Sequence, residues 1–359
     1  MGWDWSERDR ADEWQVELVD PHDATASRGE LSGVTAASIR LVWDSGHRAS
    51  ATVETLSGDG DDGWVENSRL RIWHVIRRWG YRKALFTGYV TGRADEWVAG
   101  GLKVSYECKS ALWAVSADLW PYPFACGSGG TVRGAVKQVM DSCSRPYMLL
   151  SGAGDYRFSA ARVWNAGTSK LDTLSDLVSL ASSRLDVDGM GYPTVGPARL
   201  PTTSDRPRWT IDAAGADSVV TSGVEHSTTA AQVPGRYIVT HKEGNQVTVG
   251  VATSGAEKAS SAQRRGYVLA EAEEVTDLPG GQSQANSIAA DRLSAAQGAD
   301  EEWRLSCLYF PARPGDACHL RLGGTRQSAI GTRSCWVREA DVDCLAGTME
   351  LTLRGCRYA

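Results

Sequence analysis

The side chains of this sequence that could act in catalysis or bind a metal are those of histidine, cysteine, aspartate and glutamate. Their spacing decides whether a site can be recognised. The histidines are His22, His47, His74, His226, His241 and His319. They form no H-E-x-x-H or H-x-x-x-H pair, and no Cys or carboxylate accompanies them at the spacing of a metal site. We therefore predict no metal ligands and interpret these histidines as surface residues or as hydrogen-bonded structural residues.

Nucleophile and phosphate-binding patterns are also missing from the sequence. No Gly-x-Ser-x-Gly elbow occurs, and Ser128 and Ser222, which lie beside glycines, are interpreted as loop residues. The segment Cys126–Gly130 is not followed by Lys-Ser/Thr at P-loop spacing, so it is interpreted as a flexible lead-in to a helix. We predict no catalytic, cofactor-binding or metal-binding residue and no cofactor. Because a carboxylate pair for glycoside hydrolysis leaves no sequence sign, a hydrolase stays open as an alternative.

The segment Ser57–Gly63 resembles a calcium loop in its acidic residues and glycines. It lacks the terminal Glu of an EF-hand loop and the flanking helix signals. A solvated acidic turn is the preferred interpretation.

Cysteines and tryptophans are the remaining conspicuous residues. The cysteines contain no C-x-x-C pair and are predicted to be mostly reduced, buried hydrophobic residues, with a disulfide among the five C-terminal ones left open. They are Cys108, Cys126, Cys143, Cys307, Cys318, Cys335, Cys344 and Cys356.

The fourteen tryptophans could form a carbohydrate platform, but many fall in alternating strands, so core or subunit-interface packing is the preferred interpretation.

Composition places the chain among soluble globular proteins. It has 359 residues, 42% of them hydrophobic and 23% charged, which is enough for two to four domains. The net charge of -6 and the pI near 5.6 argue against a sequence-independent grip on nucleic acid, because that needs clustered cations. The excess of arginine over lysine indicates a GC-rich, actinobacterial setting. No signal peptide or membrane-spanning run is recognised, so we expect assembly in a cytosol.

Alternating strands dominate the two ends of the chain. Trp303–Arg354 ends in a predicted hairpin whose arms, Val342–Cys344 and Met349–Arg354, are joined through Gly347. An earlier segment, Asn67–Cys108, shows a similar order of strands. We interpret the two segments as related small β-barrels, with two unrelated antiparallel sheets as the equal alternative.

Further hairpins and helices lie between these ends. Their predicted strands are Ala37–Trp43 with Ala49–Leu56, Arg236–His241 with Gln246–Val251, and a strand, Asp-Gly turn and strand over Leu185–Tyr192. Their predicted helices are Thr131–Met140, Thr173–Arg184 with Asp172 as N-cap, and Ser283–Gln297. The prolines from Pro193 to Pro207 are interpreted as a linker.

The predicted fold is α+β and mainly β. Its domains are a first β-barrel over residues 1–110, an α/β domain over 111–205, a second β-barrel over 206–254 and 301–359, and a small α/β insertion over 255–300.

This order of features resembles the tail hub, or baseplate hub, proteins of long-tailed bacteriophages over nearly the whole chain. The residues that carry the resemblance are Leu85–Arg93, Leu185–Gly189, Arg236–Val239, Arg265–Tyr267, Ala289–Leu293, Pro314–Asp316 and Trp336–Val337. None of these motifs is diagnostic when taken alone.

The resemblance implies a homotrimeric ring at the tail tip of the virion, assembled in the host cytoplasm. Each chain would contribute two similar barrels, so that three chains adapt a sixfold tail tube to threefold symmetry around the DNA exit channel. The implied partners are the distal tail protein, the C-terminus of the tape-measure protein and a central fibre or spike. A tail-associated cell-wall hydrolase or a glycan-binding tail protein is the alternative.

Overall fold

A computed structural model provides the structure of the chain. It describes residues 4, 5, 7, 10–57, 65–213, 215, 218–221, 223–228, 233–243, 246–256, 258, 260–275, 278, 281–297, 301–323 and 331–356. The chain divides into two compact units. Unit 1 comprises Met1–Arg199, Leu308–Pro311 and Glu339–Met349, and unit 2 comprises Leu200–Cys307, Ala312–Arg338 and Glu350–Ala359.

The elements of the first 199 residues are strands with three helices. They are β1 (Glu13–Val19), β2 (Ser27–Glu30), β3 (Val34–Val42), β4 (Ala49–Ser57), β5 (Arg69–Ile76), β6 (Tyr81–Val98), β7 (Gly101–Ser110), α1 (Ala111–Ser116), β8 (Phe124–Cys126), α2 (Val132–Ser142), β9 (Met148–Leu149), β10 (Arg162–Trp164), α3 (Lys170–Leu180), β11 (Ser183–Val187) and β12 (Pro193–Pro197).

The later elements are also mainly strands. They are β13 (Trp209–Asp212), β14 (Glu225–Thr228), β15 (Arg236–Glu243), β16 (Gln246–Thr253), α4 (Ala262–Arg265), β17 (Ala270–Glu274), α5 (Gly281–Gln297), β18 (Glu301–Leu308), β19 (Ala317–Arg321), β20 (Thr332–Asp343) and β21 (Thr348–Gly355).

The main sheet of unit 1 is antiparallel. Its order is β2-β1-β5-β6-β7-β4-β3, and residues 339–343 of β20 pair with β3 at the far side. The mainly β class predicted from the alternating pattern is confirmed. Among the described strands the sheet does not close on itself: it ends in β2, whose four residues are all exposed. The closed first barrel that we predicted is therefore not observed.

Strand β6 is the longest strand of unit 1, and its two halves have different neighbours. Residues 81–89 pair with β5, whereas residues 88–98 pair with β7. Gly88 lies where both neighbours meet, opposite Leu70 on one side and Ser110 on the other. A Cβ at Gly88 would lie 2.4 Å from the carbonyl oxygen of Lys109 and 2.4 Å from the Phe86 ring, so only glycine fits between the two.

Residues 111–199 of unit 1 form an α/β part with its own apolar core. The predicted stripe of α2 is confirmed: Val132, Ala135, Val136, Val139 and Met140 are all buried. They pack with residues of α1, α3, β11 and β12 in one cluster.

Three boundaries in this part differ from the sequence prediction. Helix α3 ends at Leu180 instead of Arg184, because Arg184 already belongs to β11. Helix α3 begins after Ser169, whose hydroxyl accepts a hydrogen bond from the backbone N–H of Leu171, so Asp172 lies in the first turn instead of at the N-cap. Pro193 and Pro197 begin and end strand β12, which pairs with β11 and β9 and is not a linker. Proline is tolerated at the first position of a strand, so a proline-containing segment is not necessarily a linker.

Unit 2 contains two sheets. One has the order β14-β18-β21-β20, with β19 beside β20 and β13 parallel to β19. The predicted hairpin of β20 and β21 is present, and its turn at Gly347, with φ 64°, falls in the segment Glu339–Met349 that belongs to unit 1. The other has the order β16-β15-β17 and carries α5, whose Ala285 and Ala289 are fully buried. The predicted hairpin of β15 and β16 and the predicted helix over Ser283–Gln297 are both confirmed.

Trp336 in β20 is buried in unit 2, with 4% of its surface exposed. We expect Trp336→Ala to lower the free energy of unfolding by about 3–5 kcal/mol, because it removes a large enclosed side chain. Chemical denaturation of both proteins measures the difference. Trp97→Ala is the matched control, since Trp97 is 83% exposed. An unchanged denaturation midpoint for Trp336→Ala would contradict the prediction.

The close approach at Gly88 generates a second prediction. Gly88→Ala should lower the free energy of unfolding by about 1–3 kcal/mol, because the methyl group overlaps the Lys109 carbonyl oxygen and one backbone must move. Gly46→Ala is the control, since a Cβ there meets nothing within 4 Å. Equal denaturation midpoints for Gly88→Ala and Gly46→Ala would contradict the prediction, because they would show that β6 and β7 can move apart at Gly88 without a loss of stability.

Candidate interaction surfaces

The residues that the sequence offers for chemistry lie apart in the structure. His47 Nε2 lies 3.3 Å from the Ser116 hydroxyl, His241 Nδ1 lies 2.9 Å from the Val275 carbonyl oxygen, and His226 stacks on a tryptophan. Ser128 donates a hydrogen bond to the Ser159 carbonyl oxygen. Within the described part of the chain no three His, Cys, Asp or Glu side chains converge as metal ligands. Ser222 and most of the acidic loop Ser57–Gly63 lie outside the described residues.

The cysteines are free thiols, and all except the half-buried Cys143 are buried. Cys318 and Cys335 lie opposite each other on β19 and β20. Burial raises the pKa of Cys108 and of Cys356 to about 12, and it raises the pKa of Cys318 well above the usual range. Thiolates are therefore disfavoured at these positions, as expected for cysteines that serve as apolar core residues.

A buried charge cluster of unit 1 centres on Asp12. Its Oδ1 lies 3.1 Å from His74 Nε2, and its Oδ2 accepts a 2.8 Å hydrogen bond from Arg10 Nη2. The Arg10 guanidinium also donates to the carbonyl oxygens of Trp5 and Tyr309, at 2.8 Å and 2.6 Å. The cluster therefore ties the N-terminal segment to strand β5 and to the segment after β18.

Aromatic rings enclose this cluster. His74 is fully buried, and the rings of Trp5, Trp14, Tyr81 and Tyr309 lie 4.7–6.1 Å from its ring. Burial by itself raises the pKa of Asp12, but the His74 hydrogen bond and the Arg10 charge outweigh it, and the pKa is lowered overall. Asp12 is thus held ionised between two buried nitrogen donors.

A cavity of about 480 Å³ opens on unit 1 where β6 leaves β5, and we call it the Tyr89 pocket. Its walls come from the turn after β1, from β2, from the approach to β5, from β6 and from α1. The side chains that line it include His22, Arg28, Glu66, Asn67, Tyr89 and Trp113.

The described part of unit 1 also has an open strand edge. Beyond Tyr89, strand β6 pairs with β7 on one side, and no described residue pairs with its other side. Trp97 lies near the tip of this β6–β7 arm, and its side chain is 83% exposed. Open edges and exposed indoles are common at protein interfaces.

In unit 2, one face of the β16-β15-β17 sheet presents an apolar row. Val247, Val249 and Val251 alternate along β16 and are 56%, 40% and 48% exposed. The opposite face of β16 carries α5, because Gly250 lets the helix backbone approach closely. The period of two along a strand explains why alternate residues have such different surroundings.

Sequence reasoning did not find the Asp12 cluster or the Tyr89 pocket. Asp12 and His74 are 62 positions apart, and no motif connects them. The only signal for the pocket was the abundance of tryptophan, which does not indicate which indole borders a cavity. In the part of the chain that the structure describes, no helix is long and apolar enough to cross a bilayer.

Comparison with solved structures identifies similar folds. The tail protein from Neisseria meningitidis MC58 has 10% sequence identity and a TM-score of 0.69, over 95% of this chain and 96% of that one. The 43 kDa tail protein of prophage MuSo2 from Shewanella oneidensis has 10% sequence identity and a TM-score of 0.67, and the match covers 95% of this chain and 98% of that one. No protein-family model and no curated protein sequence matches the chain.

A third similar structure is the c3393 protein of E. coli. It is a component of the type VI secretion system and exhibits structural similarity to the T4 bacteriophage tail proteins gp27 and gp5. It shares 10% identity with this chain and a TM-score of 0.58, over 96% of this chain and 77% of that one. The chain thus has the fold of phage tail proteins, and the resemblance stated from the sequence is confirmed at the level of the fold.

The Asp12 cluster predicts a pH-dependent contribution to stability. Folding lowers the pKa of Asp12 from its usual value of 3.8. The ionised carboxylate therefore stabilises the folded state at a pH above that value, and this stabilisation is lost as the pH falls through the lower pKa of the folded state. At neutral pH, Asp12→Asn should lower the free energy of unfolding by about 1.5–3 kcal/mol, because it weakens charge-assisted hydrogen bonds. The difference from the original protein should shrink below pH 4.

Chemical denaturation at a series of pH values measures this effect. The exposed Glu350, substituted by Gln, is the control and should leave the stability profile nearly unchanged. A difference between Asp12→Asn and the original protein that stays constant from pH 7 to pH 3 would contradict the assigned ion pair.

Proposed function

We propose that this chain, which has the fold of phage tail proteins, is a structural protein of the tail tip of a long-tailed bacteriophage. The observation that carries the proposal is the extent of the fold match: it covers 95% of this chain and 96% or 98% of two phage tail proteins. The similarity to tail proteins therefore extends over nearly the whole chain and is not confined to one domain.

The proposed assembly is a homotrimeric ring. Each chain would provide two barrel-like halves, one built around the sheet of unit 1 and one around the larger sheet of unit 2. Three chains then offer six similar halves to a tail tube with sixfold symmetry. Towards the tip, the same ring has threefold symmetry. The domains expected from the sequence are residues 1–110 and residues 206–254 with 301–359 as the two ring-forming domains, 111–205 as the α/β domain and 255–300 as the insertion. Strands β15 and β16 share a sheet with β17 of that insertion, so in this proposal they belong with the insertion and not with the ring-forming half.

Exposed features of each unit support a role in assembly. The open edge of β6 with Trp97 and the apolar row of β16 are the kinds of surface that partner proteins cover. The proposed partners are the distal tail protein, the C-terminus of the tape-measure protein and a central fibre or spike. The net charge of -6 suits a ring around a channel through which DNA passes without adhering.

The proposed role is structural and not enzymatic. The tail-associated cell-wall hydrolase considered above makes a different prediction, namely cleavage of purified host cell wall by the isolated chain. A zymogram separates the two, and clearing by the chain that is lost on substitution of a carboxylate would overturn the structural role.

The ring is tested by counting copies of the chain at the tail tip. We expect three copies around the channel in a reconstruction of the virion tail by electron microscopy. A purified chain that is monomeric in light scattering would fit a ring that closes only on its neighbours, so the virion is the deciding sample. A ring of six copies, or absence of the chain from the tail tip, would contradict the proposal.

A further inference from the structure

We propose that the Tyr89 pocket is a binding site for a neutral saccharide of one or two sugar rings. This function goes beyond the structural role in the tail and does not depend on it. The cavity of about 480 Å³ falls within the range of about 300–1,000 Å³ that is usual for small-molecule sites. Such sites combine an apolar or aromatic wall with a few fixed polar groups, and the pocket contains both.

The polar wall is held in place by paired charges. Arg28 Nη2 bonds to Asp20 Oδ2 at 2.7 Å, and Arg28 Nη1 donates to the Asn67 carbonyl oxygen at 3.1 Å and to the Ser68 hydroxyl at 3.2 Å. Hydrogen bonds from the His22 backbone and from Arg28 lower the pKa of Asp20 to about 2, so this carboxylate stays ionised. A planar guanidinium fixed in this way presents its remaining N–H donors in a defined direction.

Glu66 provides hydrogen-bond acceptors in the polar wall, and it is also held by an ion pair. Glu66 Oε1 lies 3.1 Å from Arg93 Nη1, and its second carboxylate oxygen provides a further acceptor. Arg28 and Glu66 each have an oppositely charged partner, so these two lining charges are balanced, and the Arg69 and Arg145 guanidinium groups lie against the Tyr89 ring. The pair Arg28 and Glu66 offers both donors and acceptors, which suits hydroxyl groups because they both donate and accept hydrogen bonds.

The aromatic wall is formed by Tyr89 and Trp113, whose ring centroids lie 6.4 Å apart at an angle of 44°. The guanidinium carbons of Arg69 and Arg145 lie 4.6 Å and 5.0 Å from the centre of the Tyr89 ring, which holds that ring in place. Trp113 is half-buried and lines the cavity, so its indole is the surface on which the C–H face of a sugar ring can pack.

Saturation-transfer NMR on the full chain tests the site, with the methyl glycosides of N-acetylglucosamine, galactose, rhamnose and arabinose as probes. We expect saturation transfer to at least one of these sugars. Trp113→Ala should abolish it, and Glu66→Gln should weaken the affinity for that sugar about tenfold, as expected from loss of a charge-assisted hydrogen bond. Trp113→Phe should restore part of the signal, because it returns an aromatic face.

Trp97→Ala is the matched control, since it removes an exposed indole that does not line the pocket. Circular dichroism and thermal melting show whether each variant is folded, and the exposed Glu66 carries the test if Trp113→Ala does not fold. Saturation transfer that survives both Trp113→Ala and Glu66→Gln would overturn the proposal, as would no transfer to any of the four sugars. Binding of a peptide or inorganic phosphate instead of a sugar would also overturn it.

Discussion

The close approach of strands β6 and β7 at Gly88 is the constraint on which the rest of unit 1 depends. Before this residue β6 uses one edge to bind β5, and after it β6 uses the other edge to bind β7. The register also shifts between Val90 and Gly92, which is a β-bulge. The open edge begins beyond Tyr89, and Tyr89 itself lines the Tyr89 pocket. Both candidate surfaces of this unit therefore lie next to the point where β6 changes its partner strand.

Buried cations join the α/β part of unit 1 to its main sheet. Arg184 of β11 lies 3.2 Å from the centre of the Trp43 ring, and burial, only partly offset by the charge of Asp186, lowers the pKa of Arg184 to about 10. Arg71 of β5 donates to the Thr87 hydroxyl, which in turn donates to the Gly189 carbonyl oxygen at 2.8 Å. Buried charges of this kind cost desolvation energy and are more useful for fixing one arrangement of the elements than for raising stability.

The chemistry of the described residues is consistent with a role in assembly and binding. Cysteines serve as apolar core residues, and the histidines with defined partners serve packing or hydrogen bonding. The exposed groups, in contrast, are those that protein and ligand surfaces use: Trp97, the valines of β16 and the polar and aromatic lining of the Tyr89 pocket. These groups are presented by strands and helices of the fold, and they are the surfaces on which the proposed role in assembly depends.

The sequence by itself determined the elements whose signals are local. Alternation with a period of two identified the hairpins of β3 with β4, β15 with β16 and β20 with β21, and the apolar stripe at helical spacing identified α2. The mainly β class follows from the same alternation. These signals are readable because each depends only on neighbours within one element or one turn.

Tertiary structure alone decided the features that need distant partners. Pro193 reads as a linker residue, yet β12 is a central strand because β11 and β9 both pair with it. Asp12 meets His74 only after the sheet forms, and five separate segments of the chain build the Tyr89 pocket. Among the described strands the main sheet of unit 1 stays open. The sequence could not predict this, because alternation shows which face of a strand is buried but not whether the first and last strands meet. Long-range contacts have no period along the chain, so only the folded backbone specifies them.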